Sequence, residues 1–539
     1  MGCRFMGYRR QPMGLVMLAV VLFCVTSLLP LLLMLGRFWL DCAVEPQSMV
    51  RGLLDCRQAI LLGRSLEIGV LATLVALAIG LPAAFVLAAP DLPWRRVFWF
   101  LTLVPLLIPP YVMAGAWIHL VHPTGWVNRG IAALFGPSAM VTLRSAPGCA
   151  WCLGLSFFPI IAIVVSAGLC TLDRHLLDVA RLSVSRWGVF RHSILPQIRF
   201  HLAAAICLVL VFVLGQYSVP SLLGVNTYPV EIFAQFSAFY NETAAVATGI
   251  PLTLLVVCLI LVQQWAMGTR DYVRLSPSSE GGPALTLGRA RPYAVLSLVT
   301  LFVVGVAMPF GHVLAYAGGL GTIVASLYGH CDWILYSSVL ALLAATASTV
   351  IAFSLGHVLA RGRGRLVKAL DVVCWLPIAL PGSVVGLGFL RLAAFVTPLQ
   401  KADSFGLLLL CAYVGMFSAF GVRVFQAAYR RTDPHVDEVA AMDCPHRYQK
   451  CLHVDLRIQA PAIAASMILV FVLAVGELNA TVLLVPPGKV TLAVSIDNLL
   501  HYGASATASA LCLIEAGVAI GVALLGLGLM RLSGKPGDG

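Results

Sequence analysis

The sequence predicts an all-α polytopic membrane protein, with about twelve transmembrane helices in two parallel six-helix repeats. Three observations predict it. Hydrophobic residues make up 60% of the 539 and charged residues 11%, a composition foreign to soluble globular chains. The chain repeats itself: Ser65–Ala88 aligns with Ser337–Ala360 at an offset of 272, and Pro105 and Pro109 meet Pro377 and Pro381 at the same offset. Its basic residues are also unevenly placed between the loops. In a protein of two such halves, the seam between them is the natural pathway.

A span needs about 20 apolar residues. Twelve stretches meet that need: 13–35, 65–89, 97–121, 149–171, 201–223, 244–266, 293–316, 336–360, 367–390, 404–429, 459–485 and 504–531. The first reads as an anchor, because its apolar run is too long for a signal peptide and no small-x-small cleavage site closes it. Residues 267–292 are enriched in Gly, Ser and Pro and read as a cytoplasmic linker. It divides an N-terminal half, 1–266, from a C-terminal half, 293–539. Each half runs span, outer loop, three spans, large polar loop, two spans. An even number of spans separates the halves, so the repeats are parallel.

With the termini on one side, that side carries 25 of the 35 Lys and Arg and the other carries 9, Arg423 lying within a span. The bias places both termini and both large polar loops in the cytoplasm. The net charge of +12 is spread over seven cytoplasmic segments, which argues for a lipid surface as partner and against nucleic acid. The fifteen cysteines fall mostly in spans, where Cys acts as a small hydrophobe. Cys149-Ala-Trp-Cys152 has redox or metal spacing but stands without a second Cys or His pair. No metal site and no cofactor is expected.

The two polar loops, 172–199 and 430–458, carry the most specific signal. Asp178-Val179-Ala180 in the first meets Glu438-Val439-Ala440 in the second at an offset of 260. An acidic residue beside small residues favours a short helix whose N-terminus faces the carboxylate. Ordinary connections span about 4–6 residues, so nearly thirty at the same place twice needs a reason. Docking into a partner with two equivalent sockets supplies one.

These loops resemble the EAA loops of bacterial ABC-importer permeases, whose pattern is Glu-Ala-Ala, three residues, Gly, nine residues, then hydrophobic-x-Leu-Pro. The first matches at Asp178, Val179, Ala180, Trp187, Phe190, Leu195 and Pro196, with Asp for Glu, no Gly, and one residue fewer in the turn. The second matches at Glu438, Val439, Ala440 and Leu456, with Cys444 at the Gly position and Arg457 at the terminal Pro. Pro196 to Gln216 and Arg457 to Glu477 are both twenty residues. The resemblance implies a type I importer permease of the fused two-half kind in a bacterial cytoplasmic (inner) membrane. It also implies that these loop residues couple to ABC ATPase subunits, two copies in all, and that an extracytoplasmic substrate-binding protein delivers the cargo.

Gly476-Glu-Leu-Asn-Ala-Thr-Val-Leu-Leu-Val-Pro-Pro-Gly488, followed by Thr491-Leu-Ala-Val, looks most like the ferric-iron branch of such permeases. Thiamine and phosphonates are the alternative cargoes. Gln216, Glu477 and Asn479 are the candidate pathway residues. An ionisable group in a span costs about 2.5–3.5 kcal/mol on insertion scales and tends to face a cavity or a partner. Glu477 therefore either lines the pathway or serves structure, pairing with Arg423 or capping a broken helix near Gly476. Glu515 is expected to pack against a neighbour or snorkel, and the proline pairs to break helices. The sequence has no P-loop, so no catalytic residues are expected and ATP hydrolysis would belong to partner subunits. An ion-coupled secondary transporter would want carboxylates or His in relay positions within the spans, and a membrane enzyme a cluster of His, Asp or Arg at one face; neither pattern stands out.

Overall fold

The computed structural model describes residues 13–44, 56–172, 174–268, 286–395, 405–443, 446–503 and 506–533. Every regular element among them is helical. Nine helices are long and apolar enough to cross a membrane, and three helix pairs pass the same test only together. The expected spans 97–121 and 367–390 are the first two of these pairs, whereas the third starts within the expected polar loop 430–458 and ends at Val475, short of the expected span end at 485. They bend by 91° between Arg95–Leu107 and Pro110–Leu120, by 100° between Arg365–Ile378 and Gly382–Ala394, and by 72° between Tyr448–Ile458 and Ala460–Val475. Twelve spans are reached only when each bent pair is taken as one.

Proline chemistry accounts for the first two bends. Ile108 (ψ 127°) and Leu380 (ψ 124°) are extended, because a following proline disfavours the helical conformation before it. Each proline carbonyl then starts a new helix, Pro109 accepting from Val112 and Met113 and Pro381 from Val384 and Val385. The same break with the same bonds occurs 272 residues apart.

The chain forms two compact units. One contains residues 1–37, 332–491 and 518–539. In it the N-terminal helix widens into a π-turn at Cys24–Leu28 and seats on the C-terminal repeat. Ser27 Oγ donates to Gly415 O at 2.9 Å, and a Cβ at Gly415 or Gly388 would strike the backbone of Thr26 or Pro30. Small residues permit such close helix approach in a membrane, where packing replaces the hydrophobic effect as the driving force.

The other unit contains residues 38–331 and 492–517. Its centre is the pair Cys56–Ala88 and Ala146–Leu169, with Leu195–Leu214 against both. Cys149 and Cys152 are buried there as free thiols. Most of the expected linker, 269–285, lies outside the described residues. Just beyond it, the Asp91 carboxylate accepts from the backbone N–H groups of Leu287 and Gly288 and meets Arg291 at 3.4 Å. Desolvation pushes its pKa upward, but these donors together hold it below the usual carboxylate value.

Candidate coupling loops and pathway residues

Both polar loops fold the same way. Helix Arg174–Ser183 corresponds to Pro434–Asp443, the short helix Arg186–Val189 to Arg447–Lys450, and the π-turn Phe190–Ile194 to Cys451–Asp455. The first pair keeps the offset of 260 and the later ones shift to 261, which places the missing residue in the turn after Ser183. Asp178 and Glu438 each sit fifth in their helix, not at the N-terminus the sequence led one to expect. The second helix instead starts at Pro434, with the Asp433 side chain accepting from His435 N at 2.9 Å. Cys444 lies outside the described residues.

The outward faces match position by position. Val179 is 63% exposed and Val439 58%; Leu182 89% and Met442 85%; Trp187 68% and Tyr448 66%. Glu438 is exposed beside His435 at 3.3 Å, and Pro196 is exposed while Leu195 and Leu456 are half-buried. Each π-turn also carries a histidine not singled out from the sequence. His192 Nδ1 lies 3.1 Å from Gly188 O and His453 Nδ1 3.0 Å from Gln449 O. Their identity at offset 261 was the available signal. π-turns recur at functional sites because the extra residue re-aims the side chains after it.

The inward faces differ in kind. In the first loop Leu177, Val189 and Ile194 are buried, and Phe190 packs on Phe85 with ring centroids 6.0 Å apart. The corresponding residues of the second loop are Asp437, Lys450 and Asp455, all buried. Asp437 accepts from Arg361 Nε at 2.9 Å and from Lys450 Nζ at 2.9 Å, and Lys450 stands 4.0 Å from Asp455. Arg361 also donates to Thr432 O at 2.7 Å. Ala440 is buried on the same side. A buried charge is stable only when paired and hydrogen-bonded, and here each member has a partner.

Glu477 is buried and caps the helix Thr481–Leu484. Its carboxylate accepts from Ala480 N at 3.1 and 3.2 Å, from Thr481 N at 3.4 Å and from Thr481 Oγ1 at 3.2 Å. A Cβ on Gly382 would lie 2.6 Å from Glu477 Oε1 and 2.8 Å from Asn479 Cβ, so glycine is required where the broken helix begins. Arg423 is bound elsewhere, to Asp371 at 2.5 Å and over the Trp375 ring. In the other unit Gln216 holds the corresponding place and accepts from Ser218 Oγ at 3.2 Å. Among the described residues no group of three or more His, Cys, Asp and Glu side chains could hold a metal ion.

The described residues thus form a helical membrane protein whose two polar loops share one backbone path and present matching apolar faces. Comparison with known proteins narrows this. Residues 76–267 match the family described as binding-protein-dependent transport system inner membrane component. That match lies within the N-terminal half, and over most of its length the chain is similar to permease proteins of ferric transport systems. It is 24% identical to an Fe(3+)-transport system permease protein of Haemophilus influenzae, over 90% of this chain and 92% of that one. It is 21% identical to a ferric transport system permease protein of Actinobacillus pleuropneumoniae, over 71% and 58% respectively. A 2-aminoethylphosphonate transport system permease protein of Salmonella paratyphi A is 31% identical, but over only 32% of this chain and 63% of its own length.

Proposed function

We propose that this permease moves ferric iron across a bacterial inner membrane, with each polar loop seated in one of two ATPase subunits and an extracytoplasmic binding protein delivering the cargo. The matched exposed faces carry the coupling half of this reading. Val179, Leu182 and Trp187, with Val439, Met442 and Tyr448, form two apolar surfaces of one pattern, as two copies of one partner would require. Asp178 and Glu438 lie beside these surfaces and take the coupling role with them, together with Ala180, Leu195 and Pro196 in the first loop and Ala440 and Leu456 in the second. Hydrolysis belongs to the partners, whose differing affinity for two states of the permease drives the change. Both termini lie in the cytoplasm with the loops.

The iron half rests on coverage. Similarity to the Haemophilus ferric permease runs through both repeats, whereas the phosphonate permease aligns with a third of the chain. That partial similarity keeps a phosphonate as the second reading; thiamine, named on sequence pattern, ranks behind it. Gln216, Glu477 and Asn479 remain the pathway candidates, Glu477 offering oxygen from a buried, backbone-braced position.

Reconstitution in liposomes with the ATPase and the binding protein tests the whole. The binding protein is loaded in turn with ferric iron, 2-aminoethylphosphonate and thiamine. Uptake and stimulated hydrolysis with iron alone are expected; stimulation by another cargo instead would replace iron. Glu438→Arg should weaken ATPase association and stop uptake, and normal uptake by that variant would remove the second loop from coupling.

A further inference from the structure

A basic cluster and an apolar groove, both within the unit of residues 38–331 and 492–517, are used by none of the above. Residues 89–96 and 286–293 together hold four arginines, Arg95, Arg96, Arg289 and Arg291, and one carboxylate, Asp91. The two segments are about 200 residues apart in the chain and are clasped by Asp91, which accepts from Leu287 N and Gly288 N and meets Arg291. Arg95 turns back and donates from Nε to Leu87 O at 3.1 Å, whereas Arg96, Arg289 and Arg291 are exposed. Trp94, just before them, is 74% exposed and held in left-handed backbone at φ 49°. That state is rare for a bulky side chain and persists where the surroundings impose it. Phe85, near the end of the helix that leads into the cluster, packs on Phe190, so the arginines lie at the end of the unit that carries the first polar loop.

Next to the arginines, a groove separates helix Arg95–Leu107 from helix Arg291–Phe302 and its following π-turn. Phe98, Leu101 and Pro105 line one side, Leu298 and Phe302 the other, and Phe158 of Ala146–Leu169 completes the lining. The polar member, Thr102, donates its hydroxyl to Phe98 O at 2.8 Å within its own helix. The space measures about 290 Å³, its open side included. At about 1.5 Å per residue, the groove starts about 5 Å past Arg95 on one helix and about 10 Å past Arg291 on the other.

We propose that this is a binding site for one anionic phospholipid, its phosphate on Arg96, Arg289 and Arg291 and the upper part of an acyl chain in the groove. The inference goes beyond the transport reading and is independent of the cargo; only its assignment to the cytoplasmic leaflet rests on the placement of the polar loops. Charge chooses the occupant. The arginines outnumber the carboxylate four to one, and basic pockets between spans on the cytoplasmic side take acidic headgroups. The planar guanidinium fork matches phosphate oxygens. The groove separates a lipid from a free phosphate, which would gain nothing from apolar walls. Trp94 and Tyr293, 74% and 75% exposed, stand where aromatic rings meet headgroups at a membrane surface.

The test uses the full-length permease in detergent, titrated with phosphatidylglycerol or with phosphatidylcholine, the bound lipid being counted by native mass spectrometry. One phosphatidylglycerol is expected to stay bound at concentrations where phosphatidylcholine does not. Arg96→Ala combined with Arg289→Ala should weaken that retention about tenfold or more, as the loss of two basic contacts to a headgroup implies, and leave the melting temperature in place. Equal retention of the two lipids, or undiminished phosphatidylglycerol on the double variant, overturns the site. Both side chains are exposed and take no part in the Asp91 clasp. Should the double variant nevertheless fail to fold, Leu101→Trp carries the test: it fills the groove with the charges intact and should release the lipid, and full retention would count against the site. Glycerol phosphate, a headgroup without chains, should not displace the lipid at equal concentration; displacement would mean a phosphate site in place of a lipid one. Loss of the ferric reading in the uptake assay would leave each of these outcomes as it stands.

Discussion

The two polar loops share a backbone path and an outer face, yet they are fastened to the protein by opposite means. The first is held by Leu177, Val189, Ile194 and the Phe85–Phe190 contact, the second by Asp437, Lys450, Asp455 and Arg361. His357, the counterpart of Phe85, turns its ring against Tyr429 with centroids 5.0 Å apart. The loops differ where each meets the rest of the protein and match where both face outward. Beneath the matched surface, either an apolar or a paired ionic solution holds a short helix in place.

The largest effect is expected from Asp437→Ala, which strands the buried Lys450 and the partly buried Arg361 without their shared carboxylate. Breaking a buried pair costs about 3–5 kcal/mol, so the purified protein should unfold at a clearly lower temperature and lose its ATPase. An unchanged midpoint would mean water already reaches the network. Leu177→Ala is the matching lesion in the first loop and should cost about 3 kcal/mol through the cavity it leaves. Raising salt should leave that loss as it is, and a strong salt dependence would contradict an apolar anchor.

Converting one anchor into the other sharpens the comparison. The combined change Arg361→Ala, Asp437→Leu, Lys450→Val and Asp455→Ile installs the first loop's residues in the second. Well-packed apolar replacements of buried ion groups are often neutral or better, so most of what Asp437→Ala loses should be regained, measured by the same melting curves. A quadruple variant no more stable than the single one would show that the second loop's backbone needs its charges. Trp187→Ala and Tyr448→Ala lie at the small end for stability, within about 0.5 kcal/mol as exposed substitutions usually are. Each should weaken ATPase binding to a similar degree, by co-purification; a large asymmetry would mean the outer faces are not equivalent in use.

Much of this was legible in the chain. Apolar runs announce spans, paired prolines announce breaks, and the repeat offsets locate both loops and the one-residue deletion between them. The short helices are expected and present, but Asp178 and Glu438 sit in the middle of them rather than at the N-terminus that the helix dipole favours. Glu438 fits the loop pattern, while its neighbour Asp437 makes the buried contacts. Nothing local separates two adjacent acids. What separates them is Arg361, 76 residues away, and Lys450, 13 residues on.

That this protein is helical, membrane-embedded and doubled is readable from the chain alone, because desolvating a peptide group in lipid leaves few options and hydrophobic length is written residue by residue. Tertiary structure alone decided how far the proline breaks bend and that Glu477 caps a helix while Arg423 goes to Asp371. It alone set the N-terminal helix on glycines of the C-terminal repeat and joined Tyr111 to Glu515. These are choices of partner between residues distant in the chain. A buried polar group must find some partner, but only the packed fold fixes which one comes within reach.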